Sequence, residues 1–266
     1  MLDLYNRKIN YLRVSVTDRC NLRCEYCMPK EGIKLLRHDE ILDFEAITEV
    51  VELAVDMGVD KVRLTGGEPL VRKGIVDLIA MLSNIEGIRD LSMTTNGVLL
   101  GQMAADLKSA GLMRVNISLD TMDPVKYKEI TRIGGFSKVI DGINAARKAG
   151  LEPIKINCVV EKNIDEPDAL AVKKYCEENK LEIRFIRKMN LEAGEFFKVV
   201  GGDGGHCVDC NRLRLTATGQ VKPCLFNDIE YSVKELGAKE ALLQAVMNKP
   251  ECGSVNHSGR FYNIGG

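Results

Sequence analysis

Three cysteines, Cys20, Cys24 and Cys27, stand in the stretch TDRCNLRCEYCMP with C-x3-C-x2-C spacing. Three thiols this close cannot all pair off as disulfides. They can surround one compact metal centre and leave one metal position open for a further ligand, which is where chemistry takes place. The spacing by itself suits zinc as well as an iron–sulfur cluster. A second odd set follows near the C-terminus, where Cys207, Cys210 and Cys224 form C-x2-C-x13-C. Nine cysteines grouped largely into two triplets read as metal ligands before disulfides.

The rest of the composition sets limits. A chain of 266 residues, 45% of them hydrophobic, buries a core without covalent staples. The net charge of -1 gives no overall basic field for nucleic acid, so an anionic ligand must meet local cations. No apolar run approaches membrane-spanning length, and MLDLYNRKIN lacks the apolar stretch of a signal peptide, so a cytoplasmic protein with no membrane partner is expected.

The elements that must position the cysteines follow from periodicity. Strands are predicted at 11–17, 61–67, 90–97, 114–120, 153–160 and 181–189. Amphipathic helices are predicted at 44–58, 76–84 and 101–111, within 134–150, and at 166–180. This β/α alternation, repeated about six times, predicts a parallel sheet with helices outside, an α/β incomplete (β/α)6 barrel. In such folds ligands sit at the carboxyl ends of the strands, where TGGEP, TTNG and SLD all fall. The alternation stops at the glycine-rich 191–207. A small C-terminal β-hairpin turning near Thr218-Gly219 and a helix at 239–248 follow. The expected division is 1–190 for the barrel and 191–266 for the second cysteine region and its Gly-Gly tail.

Tyr26 between the second and third cysteines, together with RLTGGEP, resembles the radical S-adenosylmethionine (SAM) superfamily. LRVSVTDRCNLRCEYCMP, RLTGGEPLVR, TTNG, RVNISLD, KINCVV, CNRLRLTATGQVKPCLF and the terminal Gly-Gly together resemble its GTP 3′,8-cyclase family, which opens molybdenum cofactor biosynthesis. The resemblance spans nearly the whole chain. It implies a lyase with two [4Fe–4S] clusters: one on Cys20, Cys24 and Cys27 whose open iron binds SAM, and one on Cys207, Cys210 and Cys224 whose open iron contacts the guanine of GTP. It implies SAM contacts at Tyr26, Gly66, Gly67, Glu68, Ser118 and Met189, with Gly67 allowing close backbone approach and Glu68 suited to an ammonium. It implies GTP contacts at Arg13, Arg63, Thr94, Lys155, Arg212 and Arg214. Arg212 and Arg214 alternate along a strand and so share a face, and guanidinium groups suit phosphate oxygens. The implied reaction cleaves SAM to a 5′-deoxyadenosyl radical, which takes the C3′ hydrogen of GTP. Closure onto C8, followed by uptake of one further electron and a proton, gives 3′,8-cyclo-7,8-dihydro-GTP. Gly265 and Gly266 enter the site in that family, with Arg260 just upstream. The implied partners are GTP, a one-electron reductant such as flavodoxin or ferredoxin, the downstream pyranopterin-forming enzyme and, as a homodimer, a second copy of the chain.

Two features depart from the family pattern. Only about seventeen residues join Met189 to Cys207, where the family carries a longer segment that walls the substrate cavity, and RFIRKMN stands for the usual RFIExMP. A more open cavity or another substrate, a different nucleotide or a peptide, is the expectation this raises. Cys252 in KPECGSVN is a further thiol which, if it reached the second cluster, would close the open iron. The second triplet also admits a purely structural cluster, and the whole chain a non-catalytic iron–sulfur or zinc protein. Cys158 and Cys176 read as packing thiols, and His206 as a neighbour of Cys207 and not a ligand.

Overall fold

The computed structural model describes residues 1–257 and Tyr262. Six parallel strands alternate with helices: β1 (Tyr11–Ser15), β2 (Lys61–Thr65), β3 (Asp90–Thr95), β4 (Arg114–Ser118), β5 (Lys155–Val160) and β6 (Glu182–Arg187). The helices are α1 (Phe44–Asp56), α2 (Ile75–Ser83), α3 (Leu100–Ser109), α4 (Pro124–Thr131), α5 (Phe136–Ala149) and α6 (Pro167–Glu178). α4 is absent from the sequence prediction. It is short, buries only Tyr127 and Thr131, and is started by the Asp123 carboxylate and Pro124 more than by an apolar stripe.

Each barrel strand divides by side-chain parity. Along β1, Leu12 and Val14 are fully buried with the helix-covered core, while Tyr11, Arg13 and Ser15 take the opposite face. The core runs from Val14 through Leu64, Met93, Ile117 and Ile156 to helix residues such as Ile47, Leu78, Leu107 and Ile143. The inner face is left for polar side chains.

The sheet order is β6-β5-β4-β3-β2-β1 and then β7 (Arg212–Leu215), β8 (Gln220–Lys222) and β9 (Tyr231–Ser232). The sheet is open, as an incomplete barrel requires. β7 pairs parallel to β1 and antiparallel to β8, so one strand of the expected hairpin becomes the next strand of the barrel sheet. Gly219, at φ +88, makes the turn at the expected place, with its N–H donating to the Thr216 carbonyl at 3.0 Å. α7 (Val233–Leu236) and α8 (Ala238–Met247) follow, and α8 lays Ala241, Leu242 and Ala245 on the core.

Candidate functional site

A cavity of about 630 Å³ opens inside the barrel. Both cysteine triplets line it, from opposite ends of the sequence. So does every other sequence-predicted site residue that is described: Tyr26, Gly66, Gly67, Glu68, Ser118 and Met189, and Arg13, Arg63, Thr94, Lys155, Arg212 and Arg214. Gly265, Gly266 and Arg260 lie outside the described residues.

The first triplet occupies the loop after β1, held against the loops after β2 and β3. The Gly67 N–H donates to the Thr17 carbonyl and the Glu68 N–H to the Arg19 carbonyl, both at 2.8 Å. A Cβ on Gly67 would lie 2.3 Å from the Arg19 oxygen, and one on Gly66 2.6 Å from the Thr17 oxygen. The paired glycines therefore let the cysteine loop itself close onto β2. Glu68 is buried and accepts hydrogen bonds from the Leu70 N–H at 3.1 Å, the Thr95 hydroxyl at 2.7 Å and the Asn96 N–H at 2.7 Å. Three donors of its own chain thus hold the carboxylate that the resemblance assigns to an ammonium. Burial pushes its pKa up to about 7, against the pull of those donors.

Donors also face the sulfur. The Leu22 N–H approaches Cys20 Sγ at 3.4 Å and Asn96 Nδ2 at 3.8 Å, as suits a thiolate bound to iron. Burial raises the pKa of all three thiols, that of Cys27 to about 12. Tyr26 donates its hydroxyl to Asp120 Oδ2 at 2.7 Å, and Asp120 Oδ1 accepts from the Val159 N–H at 2.8 Å. Sequence reasoning quoted SLD as a strand end and missed Asp120 as the group that fixes Tyr26. It missed Asn96 in the same way.

Across the inner face, three arginines stand in one row. Arg13 of β1 is in register with Arg63 of β2 on one side and Arg214 of β7 on the other. Tyr11, one turn of the pleat away, has Arg63 Cζ 5.3 Å and Arg212 Cζ 5.5 Å from its ring centroid. Burial, and then the neighbouring guanidinium groups, holds Arg13 well below its ordinary pKa and brings Arg214 to about 10. Such a concentration of guanidinium groups suits a polyanion. The Thr94 hydroxyl and Arg184 Nε are buried at this cavity with no hydrogen-bond partner. Lys155 is ion-paired to Glu182. Arg114 and Arg184 also line the cavity and were not singled out from sequence.

The second triplet sits in a more cationic setting. Burial opposes ionisation of Cys210, but the Lys249 ammonium, the Arg212 N–H and the Arg212 guanidinium outweigh it and bring the thiol below its ordinary value. The Phe226 N–H faces Cys224 Sγ at 3.4 Å. Cys252 is paired with Cys207, their Cα atoms 5.1 Å apart, and does not line the cavity. Cys158 and Cys176 are buried in the core, and His206 bonds Asp209 at 2.6 Å.

Residues 14–176 match the Radical SAM superfamily. A curated relative from Thermodesulfovibrio yellowstonii, GTP 3′,8-cyclase, is 43% identical over 94% of this chain and 95% of its own length. The protein of that name from Geobacter sulfurreducens is 41% identical over 94% and 93%. The chain belongs to the radical SAM superfamily and, within it, to the GTP 3′,8-cyclase family. Two solved structures share the fold. Streptococcus suis SuiB bound to S-adenosylmethionine has TM-score 0.68 at 16% identity, over 91% of this chain and 64% of SuiB. Native anSMEcpe with bound AdoMet has TM-score 0.64 at 18% identity, over 91% and 81%. A radical SAM protein works with S-adenosylmethionine and an iron–sulfur cluster, and the donor set around Cys20, Cys24 and Cys27 fits the cluster.

The alignment to the Thermodesulfovibrio relative runs over 305 positions, more than the 266 residues of this chain, so that family member carries residues between the matched ends that are missing here. In this family member the short 190–206 segment forms a cavity wall by itself. It folds back along β6, where Phe185 and Val200 exchange backbone hydrogen bonds at 2.9 and 3.1 Å. Phe196, Val199 and Gly202 through His206 line the cavity. Gly205, at φ +74, lies so close to the Phe197 carbonyl that a Cβ would fall 1.9 Å from its oxygen. Phe196 packs on Phe226 with ring centroids 4.7 Å apart, which ties the segment to the second cysteine region. Among the described residues no helix is long and apolar enough to cross a membrane.

Proposed function

We propose that this chain is a GTP 3′,8-cyclase that converts GTP to 3′,8-cyclo-7,8-dihydro-GTP at the opening of molybdenum cofactor biosynthesis. The observation that carries the reading is the in-register row Arg63–Arg13–Arg214, placed in one cavity between the two cysteine triplets. When bound at Cys20, Cys24 and Cys27, the cluster and SAM supply the one-electron chemistry that removes the C3′ hydrogen of GTP. Cys207, Cys210 and Cys224 would hold a second [4Fe–4S] cluster, which would supply a binding point for the guanine.

The chain's own residues do the positioning. Arg13, Arg63, Arg212 and Arg214 take the triphosphate, with Lys155 and Thr94 at its flank, and neutralise its charge. Gripping GTP at its phosphates and its base holds the ribose in a fixed place, so the reacting hydrogen is presented in one geometry. Tyr26, fixed by Asp120, and Gly66, Gly67, Ser118 and Met189 line the SAM side. Glu68 sets that side's shape by joining the loops after β2 and β3. Phe196, Val199, Gly202 through His206 and Phe226 wall the space between. Residues 1–190 serve as the hydrogen-abstracting barrel and 191–266 as the auxiliary-cluster region. Gly265 and Gly266 are required for cyclisation. A cytoplasmic flavodoxin or ferredoxin supplies the electron, and a pyranopterin-forming enzyme consumes the product.

One anaerobic turnover tests this. Reconstituted protein receives SAM, a strong reductant and GTP, and products are read by mass spectrometry. A cyclised GTP-derived product with 5′-deoxyadenosine is expected. 5′-Deoxyadenosine with unchanged GTP would move the assignment to a paralogue acting on another nucleotide or a peptide, the reading that the short wall and Arg187 favour.

A further inference from the structure

Cys252 has no place in the mechanism above, yet its position is built. The buried Arg7 guanidinium, paired to Asp3 at 2.6 Å, donates to the Cys207 carbonyl at 2.9 Å, the Glu251 carbonyl at 2.7 Å and the Pro250 carbonyl at 2.6 Å. One cation thus clamps the backbone at Cys207 to the backbone just before Cys252. On the other side Gly253 packs against Cys224 Sγ, and the Ser254 N–H donates to the Phe226 carbonyl at 2.8 Å. Cys252 is solvent-exposed and Cys207 half-buried, and the two are paired. Cys207 lines the cavity and Cys252 does not. Cys252 therefore meets the second triplet at the Cys207 corner and leaves the cavity side of the site open.

We propose that Cys207 and Cys252 form a reversible disulfide that competes with iron–sulfur binding at the second site. This rests on the reading that Cys207, Cys210 and Cys224 hold a cluster. The exposed Cys252 sulfur attacks a low-molecular-weight disulfide, RSSR, forming a mixed disulfide and releasing one RSH. The Cys207 sulfur then attacks the Cys252 sulfur, forming the internal bond and releasing the second RSH. Two protein thiols are oxidised, RSSR takes up the two electrons, and the two thiol protons leave on the RSH products. A sulfur in a disulfide has lost the negative charge with which it binds iron, so the site falls from three thiolate ligands to two. Excess dithiol reverses the exchange. The second cluster, and with it the grip on the substrate base, then depends on thiol redox state while the first cluster does not.

The test uses the full chain, freed of iron and treated anaerobically with glutathione disulfide or with dithiothreitol before reconstitution. Peptide mass spectrometry reads the 207–252 cross-link, and iron content and Mössbauer spectra read each cluster. The disulfide-treated protein should show the cross-link and take up roughly half the iron of the reduced protein, with dithiothreitol restoring the rest. Cys252→Ser should take up both clusters after either treatment. Absence of the cross-link in wild type overturns the proposal without reference to any variant. Loss of the second cluster from reduced Cys252→Ser overturns it too, by making Cys252 a ligand. If reduced wild type takes up only one cluster, the second-cluster reading itself falls, and the competition falls with it.

Discussion

Arg13 and Arg214 lie opposite each other in register on adjacent parallel strands, β1 and β7, with Arg63 completing the row on β2. Like charges side by side in a sheet oppose folding, and burial adds to the cost. The arrangement is intelligible as a site held ready for a polyanion. Replacing Arg13 by Met should weaken GTP binding about 10- to 100-fold. Equilibrium binding of GTP checks this. A variant that keeps its GTP affinity would make the row structural.

Asp120 fixes Tyr26 through one oxygen and the Val159 N–H through the other. Asp120→Ala should lower the rate of SAM cleavage about tenfold, the scale of one lost buried hydrogen bond to a charged group, and leave GTP affinity unchanged. 5′-Deoxyadenosine formation measured beside GTP binding separates the two. Equal losses in both would mean a general loosening of the barrel.

Gly67 is set by the Arg19 carbonyl, 2.3 Å from where a Cβ would be. Gly67→Ala must push the cysteine loop away from β2. The expected cost is about 1–3 kcal/mol of stability together with loss of the first cluster and retention of the second. Mössbauer spectra of the reconstituted variant distinguish this from loss of both.

Glu68 gives a pH dependence with a definite sign. Burial raises its pKa from 4.5 to about 7 in the folded protein, so the native state holds this proton more tightly than the unfolded chain does. Below about pH 4.5 both states are protonated and the group costs nothing; as pH rises toward about 7 the unfolded chain ionises first and folding loses about 3 kcal/mol. Unfolding of the iron-free protein between about pH 5 and 8 should show this fall, and Glu68→Gln should flatten it. An unchanged slope in the Gln variant would assign the dependence to another group.

Removing Gly265 and Gly266 should abolish cyclisation and leave SAM cleavage intact. Full cyclase activity in the shortened chain would remove the tail from the mechanism.

The chemistry-bearing residues were legible in the sequence because their types and spacings are local. Cys20, Cys24 and Cys27, the TGGEP run, the second triplet and the alternation of Arg212 with Arg214 need no tertiary information to be noticed. Six repeats of strand and helix likewise fix a parallel α/β sheet, since apolar periodicity reports which face each element buries. α4 escaped because its helix depends on its Asp123 cap more than on an apolar stripe.

What the sequence determined by itself is the inventory: two thiol triplets, a set of cations and a fold class that gathers strand ends. What only the tertiary structure decided is adjacency. The pairing of β7 with β1 sets Arg214 beside Arg13, some two hundred residues away in the chain. It also decided that Asp120 holds Tyr26, that Glu68 is held by donors of its own chain, and that Cys252, which does not line the cavity, meets Cys207. The physical reason is range. Periodicity and capping act over a few residues and are written in the local sequence, whereas strand register, buried charge and thiol contact arise between segments that only folding brings together.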